Sequence, residues 1–193
     1  VLDCGVRTFL VRCLEEIGLL AETADGKGLS RYETSSREPD IGIITDANLY
    51  CWNSRAAKQY RDIAADAGLR LVRITVPLGL SFKEIMQIQC ETDTELIVRA
   101  DIPVMISKQC VRKTYGLCSH DNASVTLKNR RGDIYNVKSV CDYCYSVMYG
   151  AKQLDISENK KLIDSISPDY IRYETDKEHS ASAWAGHYVM GVE

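Results

Sequence analysis

The chain has 193 residues, 45% of them hydrophobic and 26% charged, with a net charge of −3 at pH 7. A chain of this length buries a core without disulfide staples, and its mild acidity argues against broad, charge-driven binding to RNA or DNA while leaving room for a local basic patch. No run approaches the ~18 apolar residues that a membrane span needs, and the opening "VLDCGVRTFLVRC" lacks the charged leader, apolar stretch and cleavage site of a signal peptide. These absences lead to the expectation of a cytoplasmic protein with no membrane partner.

Apolar residues at Val6, Phe9, Leu10, Cys13, Leu14 and Ile17 have helical spacing and predict a first helix stopped near Gly18. "ADGKGLSRYETSSREPD" follows as a polar loop. "IGIITD", Ile41 to Asp46, reads as a short buried strand ending on a polar residue. A helix then runs from an N-cap at Ser54 to a stop at Gly68. "LRLVRITVP" is the next strand, ended by Pro77. Ser81 opens another helix, and Glu84 completes a capping-box pattern with it.

"TELIVRA" and "PVMIS" are two strands or one broken strand, and "SVTLKNRRGDIYNV" reads as a hairpin around a turn containing Gly132. The basic run "KNRR" inside it reads as a solvated turn. "SENKKLIDSI" is a short helix, "DYIRYE" a strand, and "HSASAWAGHYVMGVE" closes the chain. The alternation of strands and helices in the first half predicts an α/β protein with parallel strands. Nothing in the composition marks a domain boundary, so one domain is expected, with a loop-rich antiparallel insert over 108–150.

That insert gathers half of the eight cysteines. Seven residues separate Cys110 from Cys118, and two separate Cys141 from Cys144. A Cys-x2-Cys pair lets two sulfurs reach one ion without strain, and a second pair completes four-coordination. In a reducing compartment such thiols are metal ligands more often than disulfides. Zinc and a four-iron four-sulfur cluster both take four cysteines, and spacing does not choose between them. Cys4, Cys13, Cys51 and Cys90 read instead as ordinary buried thiols.

The other candidates carry weaker signals. His187 lies between Gly186 and Gly191, His120 reads as a loop residue beside Cys118, and His179 as solvated. Glu95 opens an apolar strand, where a carboxylate either points into a site or is a solvated end. There is no nucleophile–base pair, Gly-rich phosphate loop or HExxH motif.

"ELIVRADIPVMISKQC" resembles the signature segment of the collagenase-like peptidase family U32, in which a Glu-led strand runs into a Pro–Val/Leu–Met–Ile/Val–Ser stretch and then a Cys. "LKNRRGDIYNV" is similar to the family's hairpin, "ITVPLGLSFKEI" and "LYCWNSRAA" to its earlier units, and "AGHYVMGVE" to the close of its core, so the likeness runs from about Ile41 to Glu193. The chain departs from the pattern at Gly79, where the family often has Glu, at Asn129, where it has Asp, and at "YNV" and "RAD". The resemblance implies part of a (β/α) TIM-type barrel, made of the later strands with a cysteine-rich hairpin insert. On this resemblance the chain is expected to be the C-terminal portion of such a barrel, consistent with the absence of an initiator Met, and to pair with a missing N-terminal half or with a second copy of itself. Better-understood relatives serve oxygen-independent hydroxylation of RNA or a quinone precursor. The resemblance thus implies Cys110, Cys118, Cys141 and Cys144 as ligands of a four-iron four-sulfur cluster, with Glu95 and His187 orienting substrate. A protease, as the family name suggests, and a module stapled by structural zinc are the alternatives.

Overall fold

The computed structural model describes residues 2–26, 40–150 and 152–174. The closing segment with His179 and His187 lies outside the described residues. Contacts gather the chain into two compact units, one from Val1–Val98 and Glu158–Arg172, the other mainly from Arg99–Ser157.

The first unit alternates strand and helix: β1 (Thr8–Val11), α1 (Leu14–Asp25), β2 (Gly42–Thr45), α2 (Ser54–Asp66), β3 (Arg70–Thr75), α3 (Phe82–Gln89) and β4 (Thr94–Ala100). β1, β2, β3 and β4 pair in that order, and every pairing is parallel. Parallel neighbours need a crossover, and the helices supply it. β2 is buried at all four positions, as a strand covered on both faces must be. Val11, Ile17, Ile41, Ile43, Ala64 and Leu69 share one apolar cluster beneath α1 and α2, and each fully buried Ile or Leu stabilises it by roughly 1.5–3 kcal/mol.

The second unit holds β5 (Pro103–Ser107), the short α4 (Val111–Thr114), β6 (Ser124–Lys128), β7 (Ile134–Val140), β8 (Tyr145–Tyr149) and β9 (Leu154–Asp155). β5, β8, β7 and β6 form an antiparallel sheet in that order. β6 and β7 are the expected hairpin, turning at Gly132 with φ +92°. The chain then returns through α5 (Lys160–Ile166) to β10 (Tyr170–Tyr173), which lies beside β4. Strands added always on the same side, β1-β2-β3-β4-β10, make a mixed α/β fold consistent with part of a barrel. The order never reverses as it does in a doubly wound sheet.

Several local expectations are corrected. Phe9 and Leu10 belong to a strand: β1 pairs with β2 along its whole length, from Thr8↔Gly42 to Val11↔Thr45, and that ladder outweighs the helical spacing. α1 starts only at Leu14 and runs through Gly18 to Asp25. The cap of α2 is Asn53, whose side chain accepts a hydrogen bond from the Ala56 amide at 3.0 Å, with Ser54 one place inside. The Ser81–Glu84 capping box is present as expected. "TELIVRA" and "PVMIS" are separate strands in different sheets. Of the thiols read as core, only Cys51 is buried; Cys4 and Cys90 are exposed, and Cys13 is half-buried at the N-cap of α1. Among the described residues no helix is long and apolar enough to cross a membrane.

Two glycines have opposite roles. A methyl group at Gly42 would overlap the Val72 side chain where β2 approaches β3, whereas one at Gly18 meets nothing within 4 Å. Gly42→Ala should therefore lower the unfolding free energy by about 1–3 kcal/mol, the usual cost of overpacking. Gly18→Ala should raise it by about 0.5–1 kcal/mol, because alanine suits a helix interior better. Urea unfolding of both variants checks the two signs.

Candidate metal centre

A helix start and two turns position the four cysteines of the second unit. Cys110 follows β5 and occupies the N-cap of α4. It is 8% exposed, with its sulfur 3.8 Å from the Ser139 hydroxyl. The Lys113 backbone amide, which points at this sulfur, is the largest cause of a thiol pKa below the ordinary value; the Ser139 hydroxyl adds to it.

Cys118 follows α4 in a loop opened by Gly116, whose φ is +68°. The next residues are tied down by Arg112, whose guanidinium binds the Asp121 carboxylate and the Ser119 hydroxyl. Ser119 in turn donates to Asp121 at 2.9 Å. The Arg112 and Ser119 hydrogen bonds hold Asp121 below the usual carboxylate range. The same loop fixes Cys141. Its amide donates to Asn122 Oδ1 at 2.9 Å, and its thiol donates to the Asp121 carbonyl at 2.7 Å.

Cys141 begins a one-turn 3-10 segment, Cys141–Tyr143, and Cys144 ends it in the left-handed region with φ 52°. That reversal brings the Cys-x2-Cys pair onto one side of the turn before β8 departs. The result is a small cavity lined by Cys110, Cys118, Cys141 and Cys144, with His120 and Ser139 also at its wall. The Cys141 thiol has its pKa raised, first by burial and then by the neighbouring Cys118 and Cys110, which places these sulfurs within electrostatic reach of one another. All eight cysteines are free thiols.

The sulfurs share a cavity but do not yet face a common centre. Among the described residues no three Cys, His, Asp or Glu side chains stand in a ligating arrangement. The reason is visible: the Cys141 thiol is turned to the Asp121 carbonyl, and the Cys144 thiol to the Cys141 carbonyl at 3.7 Å. The donor set, four thiols around one small cavity, has the chemistry of a four-thiolate centre, while the thiols as placed do not converge on one point. The cavity measures about 10 Å³, close to the space one water fills.

Glu95 belongs to another cluster, in the first unit. It is 5% exposed and accepts hydrogen bonds from Arg73 Nε at 2.8 Å and Thr75 Oγ1 at 3.0 Å, with Arg172 at 3.3 Å. Arg172 also reaches Asp46 at 2.5 Å, and the Arg73 guanidinium lies 4.2 Å above the Tyr170 ring. A solvated strand end is thus not what Glu95 is; it is the centre of a buried ion network across β3, β4 and β10. Sequence reasoning missed Arg73, Arg172 and Asp46 here, and Arg112, Asp121 and Asn122 at the cysteines. Asp46 gave the one signal, a polar residue closing a buried strand. At Gly79, a Cβ would lie 2.9 Å from the end of the half-exposed Trp52 ring, so an acidic side chain there would have to displace that ring.

Glu95→Ala should cost about 3 kcal/mol of stability in urea unfolding, since it leaves two partly buried arginines short of a carboxylate partner. A loss below 0.5 kcal/mol would contradict the structural role assigned to Glu95. No family model, curated protein or solved structure matches this chain.

Proposed function

We propose that this chain is an iron–sulfur protein of the U32 type it resembles, part of a TIM-type barrel, in which Cys110, Cys118, Cys141 and Cys144 hold a four-iron four-sulfur cluster. Its role is that of an enzyme or accessory protein of oxygen-independent hydroxylation, on an RNA or quinone-precursor type substrate. One observation carries the reading: four cysteines, up to 34 positions apart in the chain, line a single small cavity. When bound, a cluster supplies one-electron chemistry, with a potential set by burial and by hydrogen bonds to its sulfurs. Ser139 is in place to donate one such bond to Cys110. Of the two residues expected to orient substrate, Glu95 is assigned to the ion network, and His187 keeps that role. In this reading the outer strands β1 and β10 are covered by further barrel strands or by a second copy of the chain.

The cavity's size favours a second reading, a structural zinc that staples the insert, because about 10 Å³ suits a single ion better than a cubane. The peptidase reading gains least. Four thiolates leave a metal no open position for the water that hydrolysis needs, and the net charge of −3 gives RNA no broad attraction.

Iron, sulfide and zinc content per chain, on protein prepared without oxygen, tests the proposal. About four irons and four sulfides, lost in the Cys141→Ser/Cys144→Ser variant, is the expected result. One zinc without iron replaces the cluster with the structural staple. Neither metal overturns both.

A further inference from the structure

A larger cavity, of about 290 Å³, lies against the antiparallel sheet beneath α4. Strand register explains its lining. Met105, Met148 and Val137 stand opposite one another across β5, β8 and β7, and Ser107, Ser146 and Ser139 form the next row. Directly opposed residues share a face of the sheet. The methionine row, with Leu127 and Tyr115, makes the apolar wall.

Ser146 is the polar point of the cavity. It is 3% exposed, and its hydroxyl makes no hydrogen bond of ordinary geometry, its polar neighbour being the Cys110 thiol, whose pKa it helps to lower. A buried hydroxyl left in that state carries a desolvation cost that a ligand oxygen would remove. Ser139, next in the serine row, touches the Cys110 sulfur, so the polar end of the cavity is also the end toward the cysteines. No Asp, Glu, Lys or Arg is among the described residues that line it, which disfavours an ionised ligand.

We propose that this cavity binds a neutral one- or two-ring aromatic compound bearing a single hydroxyl or carbonyl, with the ring against Met105 and Met148 and the oxygen on Ser146. The volume falls near the lower end of small-molecule pockets, and a cavity about half as large accepts benzene. Thioethers make favourable contacts with aromatic rings, and two of them flank the space. The site stands whichever metal the cysteines hold.

The probe is 2-naphthol, whose own fluorescence reports binding, with naphthalene as the matched ring without oxygen. In the full chain carrying ¹³C-methyl methionine, 2-naphthol is expected to bind saturably and to shift the Met105 and Met148 methyl resonances. Ser146→Ala should weaken 2-naphthol about tenfold, the loss of one hydrogen bond, and leave naphthalene unchanged. Met105→Trp, at a half-exposed wall position, should weaken both. Absence of saturable binding, unmoved methionine resonances, or a 2-naphthol affinity unaltered by Ser146→Ala would each overturn the proposal. Metal content measured on the same samples separates failure of this cavity from failure of the cysteine centre.

Discussion

The cysteine site depends on one ion pair. Arg112, on α4, grips Asp121, and through Asp121 it fixes the whole loop that begins at Cys118. Asp121 then offers its carbonyl to the Cys141 thiol, while Asn122 takes the Cys141 amide. The pair is largely exposed on the Asp121 side, with 57% of that side chain accessible, so its Coulomb energy alone is modest. Its weight comes from geometry. Two turns separated by the β6–β7 hairpin are held within electrostatic reach of each other, and the four sulfurs line one cavity as a consequence.

A buried network plays the corresponding part in the parallel sheet. Asp46, Thr75 and Glu95 sit at one level across β2, β3 and β4, since Thr75 is paired with Glu95 and Thr45 with Ile74. Arg73 and Arg172 close that level from β3 and β10. Buried ion pairs seldom stabilise a fold more than well-packed apolar groups would. What this one supplies is register: sliding β4 by one residue would carry Glu95 away from both guanidiniums and turn its side chain to the other face. A polar layer among otherwise aliphatic strands thereby fixes how β10 returns to the sheet after the long antiparallel excursion.

Much of this was legible in the sequence, and the failures have physical causes. The helices α2 and α3 announced themselves through caps, Ser54 for one, a single place inside the true cap Asn53, and Ser81 with Glu84 for the other. The β6–β7 hairpin did so through β-rich runs around Gly132. β1 was hidden because Phe9, Leu10, Leu14 and Ile17 suit helical spacing as well as a strand followed by a helix, and only pairing with β2 decides. The cysteine pairing was readable because Cys-x2-Cys is a local pattern. The residues that hold it, Arg112, Asp121 and Asn122, were not, since each acts through contacts that no periodicity encodes. Glu95 was visible as an anomaly, but its partners are 20 or more positions away, at Arg73, Thr75 and Arg172. Ser146 was invisible for a similar reason: a serine in a strand means nothing until its row is known.

The central claim is that Cys110, Cys118, Cys141 and Cys144 form one centre. X-ray absorption at the edge of the metal carried by protein prepared without oxygen tests it most directly. A first shell of sulfur alone is the predicted result: four sulfurs at about 2.3 Å for zinc, or sulfur with iron neighbours beyond it for a cluster. A shell containing nitrogen or oxygen would contradict the account, because it would mean that His120 or water completes a site the four cysteines do not share.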